Sequence, residues 1–146
     1  MATKVNESLH KVKATSFADP ADIRAFKRCK ARGGTDKECF EIGDNGIGLW
    51  GQSCAAGTGA CCALPPEDYI EQWGSINAAR GKLVLINRGG KSAWCDCRDR
   101  MPYRRFIEDG AGIDLNPDAC KALGLKPPVS ASVTWRWTEV QPATRP

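Results

Sequence analysis

The sequence is poor in the residues and patterns that mark metal sites and membrane proteins. It has a single histidine, His10, and no Cys-x-x-Cys pair, the spacing with which structural zinc sites usually present two thiolates to the ion. No apolar stretch is long enough to span a membrane, and residues 1–13 lack the apolar core of a secretory signal peptide. We therefore expect no metal, no cofactor, no membrane partner and no signal-directed secretion.

Charge is equally unpatterned. The net charge is only +4 over 146 residues, and the basic residues between 98 and 105 form no continuous run. This predicts a solvated basic face rather than a nucleic-acid site. The chain length and the 42% hydrophobic content suit one globular domain. The 9 prolines and 15 glycines predict many turns and a mainly β architecture.

Cysteine, in contrast, is abundant. Eight cysteines in a chain of this size favour disulfides and a working place outside the reducing cytosol; burial of some of them as small apolar residues is the alternative. Without a signal peptide, such a protein would be released by cell lysis, unless a signal has been trimmed from the mature chain. The predicted disulfide cysteines are Cys29, Cys39, Cys54, Cys61, Cys62, Cys95, Cys97 and Cys120.

The pattern of residues divides the chain into a flexible leader at 1–10, a barrel domain at 11–140 and a flexible tail at 141–146. A strand is expected at 11–17. Residues 18–40 are expected to form a helical insertion stapled by a disulfide. Its helix should begin at Asp19-Pro20 and end at Gly33-Gly34. Residues 40–64 are rich in glycine and predict tight turns.

The second half alternates strands and short helices. It predicts a helix from the prolines at 65–66 to Trp73, a hairpin over 82–98 with Cys95 and Cys97 on one face, a helix at 116–123 and a long final strand at 129–140.

Three motifs in this half, in this order, resemble one family. They are Lys82-Leu-Val-Leu-Ile-Asn87, Arg98-Asp-Arg-Met-Pro-Tyr103 and Gly112-Ile-Asp-Leu-Asn-Pro117. Together they are similar to the double-psi β-barrel of rare lipoprotein A, the expansins and the barwin-like proteins. Weaker likeness upstream, as in Ala14-Thr-Ser-Phe17, extends the resemblance over roughly residues 12–139. It implies a six-stranded double-psi β-barrel with short peripheral helices.

The resemblance also implies glycan chemistry. In lytic transglycosylases of this barrel type one aspartate acts as general acid and then as base, and the matching residue here is Asp114. Asp44 or Asp99 would be the second carboxylate. Sugar rings would stack on Trp50, Trp94 or Tyr103. The family's histidine falls at about Cys61, which favours a structural or binding role over catalysis, and Asp114 could instead cap the helix that follows.

The composite of ATSFADP, GDNGIGLWG, CALPPED and GAGIDLNP also resembles proteins encoded among tailed-phage and prophage structural genes. This implies a virion component of the tail, baseplate or neck. Its partners would be other virion proteins and copies of itself, bonded through intermolecular disulfides, together with peptidoglycan. Two alternatives stay open: a peptidoglycan lytic transglycosylase-like enzyme using Asp114, and a non-catalytic glycan-binding module.

Overall fold

The structure is a computed structural model, and it describes residues 4–139. In chain order its strands and α-helices are β1 His10–Ser16, α1 Pro20–Ala31, α2 Asp36–Phe40, β2 Cys61–Leu64, α3 Pro66–Trp73, β3 Leu83–Arg88, β4 Lys91–Arg100, β5 Ala111–Leu115, α4 Pro117–Ala122 and β6 Ala131–Thr138.

The six strands close into one barrel with the order β1-β5-β2-β4-β3-β6. The pairs β1–β5 and β2–β4 are parallel, and the other four neighbouring pairs are antiparallel. A closed barrel leaves no free sheet edge. The predicted fold, a mainly β, six-stranded double-psi β-barrel with short helices, is confirmed.

Local sequence explains where the helices begin. The Asp19 carboxylate accepts the Asp22 N–H at 2.9 Å and caps α1, with Pro20 as its first residue. The Asn116 side chain caps α4 in the same way, accepting the Ala119 N–H at 3.0 Å. Both caps satisfy an amide that the helix leaves free. The helices predicted at these places, and the one ending at Trp73, are confirmed.

The insertion between β1 and β2 contains a second helix, α2, that was not predicted from the sequence. Thr35 and Glu38 form a capping box at the start of α2, in which each side chain accepts the other residue's N–H. A disulfide between Cys29 and Cys39 joins α1 to α2. The insertion is therefore stapled by a disulfide, as predicted.

The other six cysteines differ from the prediction of disulfides throughout. All six are free thiols with buried side chains. Four of these thiols are buried because of their position in the fold. Their side chains point into the barrel core beside residues such as Ile113 and Leu115; the four are Cys62, Cys95, Cys97 and Cys120. They pack there as small apolar side chains, which is the alternative that the sequence had left open. Within residues 4–139, no group of three or more His, Cys, Asp or Glu residues could hold a metal ion.

The segment before β1 lies against helix α3. The Gln72 side chain accepts the Asn6 N–H at 2.9 Å and donates to the Lys4 carbonyl at 2.8 Å. The division into leader, barrel and tail stays a prediction, and the proposed tail at 141–146 lies outside the described residues. No helix within residues 4–139 has the length and apolarity needed to cross a membrane.

Candidate functional site

Asp114 lies on the outer face of the barrel, one residue before the end of strand β5. Its neighbours Ile113 and Leu115 are fully buried in the core, so the carboxylate points the other way, as strand alternation predicts. Across the sheet it stands beside Thr15 of β1 and Ala63 of β2. The Thr15 hydroxyl donates to the Asp114 carboxylate at 3.1 Å.

Asp99 of β4 lies level with Asp114 across the sheet, with β2 between their two strands. We call these two residues the aspartate row. Ala63 is the register partner of both Asp114 on β5 and Asp99 on β4. Two strand spacings separate the backbones of the two aspartates by about 10 Å. The small side chain of Ala63 between them leaves room that a larger residue would fill.

A loop that we call the cover segment, residues 41–60, packs over this row. Its glycines permit close backbone approach: a Cβ on Gly43 would lie 2.3 Å from the Asp22 carbonyl oxygen, and one on Gly48 would lie 1.9 Å from the Arg98 carbonyl oxygen. The segment therefore fits tightly between helix α1 and strand β4. It carries Asp44, whose carboxylate accepts the Gly46 N–H at 2.7 Å.

The site thus brings together four carboxylates, from α1, the cover segment, β4 and β5. Burial, together with repulsion from Asp44, Asp99 and Asp22, raises the pKa of Asp114 to about 7, although the hydrogen bond from Thr15 opposes the shift. Burial raises the pKa of Asp99 to about 6. The pKa values of Asp44 and Asp22 are raised as well, chiefly by burial. A carboxyl group with a pKa near 7 can both give and take a proton at neutral pH.

Two alternatives for Asp114 and Cys61 can be judged from these contacts. The cap of α4 is Asn116, so Asp114 does not cap that helix. Cys61, which the resemblance aligns with a histidine, is fully buried and lies with Cys54 in an apolar cluster on the outer side of the sheet. Cys61 offers no exposed polar group to Asp114, and the charges that act on Asp114 are those of Asp44, Asp99 and Asp22.

The three predicted aromatic residues lie in different places. Trp50 is half-buried and belongs to the cover segment, where its indole N–H donates to the Asn77 side chain at 3.0 Å. Beside it, a cleft of about 310 Å³ is lined by Leu49, Ser75, Ile76, Asn77 and Arg100. Because the Leu49 backbone N–H donates to the Asp99 carboxylate, this cleft adjoins the aspartate row.

Trp94 occupies the outer side of the β3–β4 hairpin, opposite Leu85, with Ala93 and Cys95 pointing inward. Tyr103 is 38% exposed beyond the end of β4, with the Arg105 guanidinium 6.0 Å from its ring. Trp50 lies in the same segment as Asp44, which is its connection to the aspartate site.

Two features of the site went unrecognised in the sequence. Thr15 contacts Asp114 only because β1 pairs with β5, and Asp22 acts on Asp114 electrostatically only because the insertion folds back. Neither residue has a local sequence signal. Arg98, predicted to belong to a solvated basic face, instead holds the cover segment. It donates to the Ser53 and Thr58 carbonyls at 2.9 and 3.0 Å and pairs with Asp96 at 2.8 Å.

Comparisons with known proteins agree on the fold. No protein-family model and no curated protein matches the sequence. Among solved structures, a Streptomyces papain inhibitor superposes with a TM-score of 0.55 at 18% identity, covering 94% of this chain and 100% of its own. At this identity the likeness shows the fold alone.

Proposed function

We propose that this barrel acts on peptidoglycan as a lytic transglycosylase-like module, with Asp114 as the general acid and base. The observation that carries the proposal is the outward-facing Asp114 carboxylate, held by Thr15 in one row with Asp99 beneath a segment that carries Asp44. The family resemblance of the Gly112–Pro117 motif supplies the substrate class.

The chemistry needs a carboxyl group that changes role once. Protonated Asp114 would donate its proton to the glycosidic oxygen as the bond to the anomeric carbon breaks. The resulting carboxylate would then accept a proton from a hydroxyl of the same sugar, which attacks the anomeric carbon and closes an anhydro ring. The raised pKa suits the first half of this cycle, and the hydrogen bond from Thr15 orients the group for both halves.

Asp44 and Asp99 would take the place of the missing histidine. Their negative charges favour the protonated form of Asp114 before the bond breaks and stabilise positive charge that develops on the sugar ring afterwards. Trp50, beside the cleft next to Arg100, would provide a face for a neighbouring sugar.

Zymography on purified peptidoglycan tests the proposal. Wild-type protein should clear the substrate, and Asp114→Asn should lose activity by at least about 100-fold, the usual contribution of a general acid. Asp36→Asn, a substitution of an exposed aspartate on α2, is the matched control and should leave clearing unchanged. Mass spectrometry should find anhydro products that carry no new reducing end. Clearing that survives Asp114→Asn would rule out the mechanism.

A non-catalytic glycan-binding module is the nearest alternative. It predicts no clearing, but pull-down on insoluble peptidoglycan that weakens in Trp50→Ala.

The virion assignment, with its partners and its extracellular place of action, stays a prediction. All eight cysteines are buried, which counts against disulfides between subunits. Reducing and non-reducing gels of assembled particles would show whether the protein is present and how it is linked.

A further inference from the structure

Two of the free thiols lie outside the barrel wall, apart from the other four. Cys54 of the cover segment and Cys61 at the start of β2 share an apolar cluster with Phe17, Met101 and other residues on the outer side of the sheet. The remaining thiols belong to the inner core or, for Cys120, to the helix packed on it. Because the sheet separates the two groups, Cys61 can reach Cys54 but none of the inner thiols.

A single buried side chain holds the two backbones together. The Asn116 amide, fully buried, accepts the Cys61 N–H at 3.0 Å and donates to the Cys54 carbonyl at 3.1 Å. The Cys54 N–H is also fixed, donating to the Gly46 carbonyl at 2.7 Å. The two thiols form a hydrogen bond with each other, and this bond together with burial raises the pKa of Cys61.

We propose that Cys54 and Cys61 form a second intrachain disulfide, which fastens the cover segment to strand β2. In the reaction the two thiols lose two protons and two electrons, a sulfur–sulfur bond forms, and a small-molecule disulfide such as oxidised glutathione is reduced to two thiols. The two cysteines are seven positions apart in the chain and held in place before oxidation, so closure needs little backbone movement. This inference does not depend on the proposed glycan chemistry.

Buried thiols react slowly because few of them are ionised, so the test begins from the unfolded chain. Reduced protein is refolded in a buffer of reduced and oxidised glutathione, quenched by acid, and its thiols are counted in denaturant. Oxidised wild type should retain four thiols, those of Cys62, Cys95, Cys97 and Cys120, rather than the six that are free when only Cys29 and Cys39 are bonded.

Two variants identify the bonded pair. Cys54→Ser and Cys61→Ser should each retain five thiols, one more than wild type, because removing one partner frees the other. Cys120→Ser is the matched control and should retain three. Six thiols in oxidised wild type, or a fall to three in Cys54→Ser, would overturn the proposal, since the second result places the new bond among the inner cysteines.

Peptide mapping gives an answer even if a serine variant fails to fold. The exposed Ala56 lies between the two cysteines, and Ala56→Lys adds a trypsin site there. After non-reducing digestion, the fragment 38–56 should be linked to the fragment 57–80, and fragmentation should place the link at Cys61 and not Cys62. Unlinked fragments would contradict the proposal.

Discussion

The inner and outer faces of strands β5, β2 and β4 are built from the same alternating segments but depend on different parts of the chain. Inward, Ile113, Leu115 and Cys97 meet other strand residues in one continuous core. Outward, Asp114 and Asp99 meet the cover segment and the helical insertion. The inner face therefore follows from alternation along each strand, whereas the outer face requires a loop to fold back on the barrel.

The cysteines of strand β2 show the same difference between the inner and the outer face. Adjacent residues of β2 face opposite ways, so that Cys62 joins the core and Cys61 the outer cluster. Contacts with Cys95 and Cys97, together with burial, raise the pKa of Cys62, which is typical of an inert core thiol. Cys61 instead faces one thiol on a loop. Sequence position alone does not separate the two roles.

The largest expected effect on stability comes from replacing a tryptophan by alanine, once in the core and once in the outer layer. Trp135 is 1% exposed in the core, stacked on His10 with ring centroids 4.0 Å apart and edge-on to Trp137. Trp135→Ala should lower the free energy of unfolding by about 3–5 kcal/mol, because the cavity it leaves cannot collapse fully. Urea unfolding followed by circular dichroism measures the loss.

Trp50→Ala is the comparison in the outer layer. Trp50 is half-buried and makes one hydrogen bond, to Asn77, so its loss should cost about 1 kcal/mol. Equal costs for the two tryptophans would mean that the cover segment contributes to folding as much as the core does.

The next effect concerns the fit of the cover segment. Gly48→Ala places a methyl group 1.9 Å from the Arg98 carbonyl oxygen, so the backbone of the loop must move. We expect a loss of about 2–3 kcal/mol from this overpacking, measured by urea unfolding.

Gly90→Ala is the matched control, because a Cβ there would meet nothing within 4 Å. It should be neutral within about 0.5 kcal/mol. If Gly48→Ala were as well tolerated as Gly90→Ala, the loop would not be seated tightly on β4.

Much of the inner face could be predicted from the sequence. Alternation placed Ile113 and Leu115 inside with Asp114 outside, and Cys95 with Cys97 on one face, because a strand has only two faces. The caps at Asp19 and Asn116 were equally readable, since each is a short polar residue directly before proline.

The outer face could not be predicted from strand alternation or from local caps. The glycine-rich composition of residues 40–64 predicts turns and does not reveal strand β2, which has only four residues, Cys61–Leu64, without polar alternation. Helix α2 has five residues and no apolar period. The contact of Thr15 with Asp114 joins residues 99 positions apart, and only the closed barrel brings them together.

The last effect distinguishes the two faces by the pH dependence of stability. The pKa of Asp114 is raised from an ordinary value of 3.8 to about 7, so the folded protein binds a proton there that the unfolded chain has already released. Its contribution to stability is complete below about pH 4 and is lost as pH rises through 7. Between pH 5 and pH 8, wild type should lose about 2 kcal/mol that Asp114→Asn keeps.

Unfolding of both proteins in urea at pH 5, 6, 7 and 8 measures this difference directly. Asn can still accept the Thr15 hydroxyl, so the variant removes the charge while leaving the hydrogen bond. The pKa of Asp99 is raised in the same direction, to about 6, so Asp99→Asn should show a smaller difference centred at lower pH. Parallel curves for wild type and Asp114→Asn would mean that water reaches the outer face as freely as it reaches the surface. The aspartate row would then lack the protonated group that acid catalysis needs.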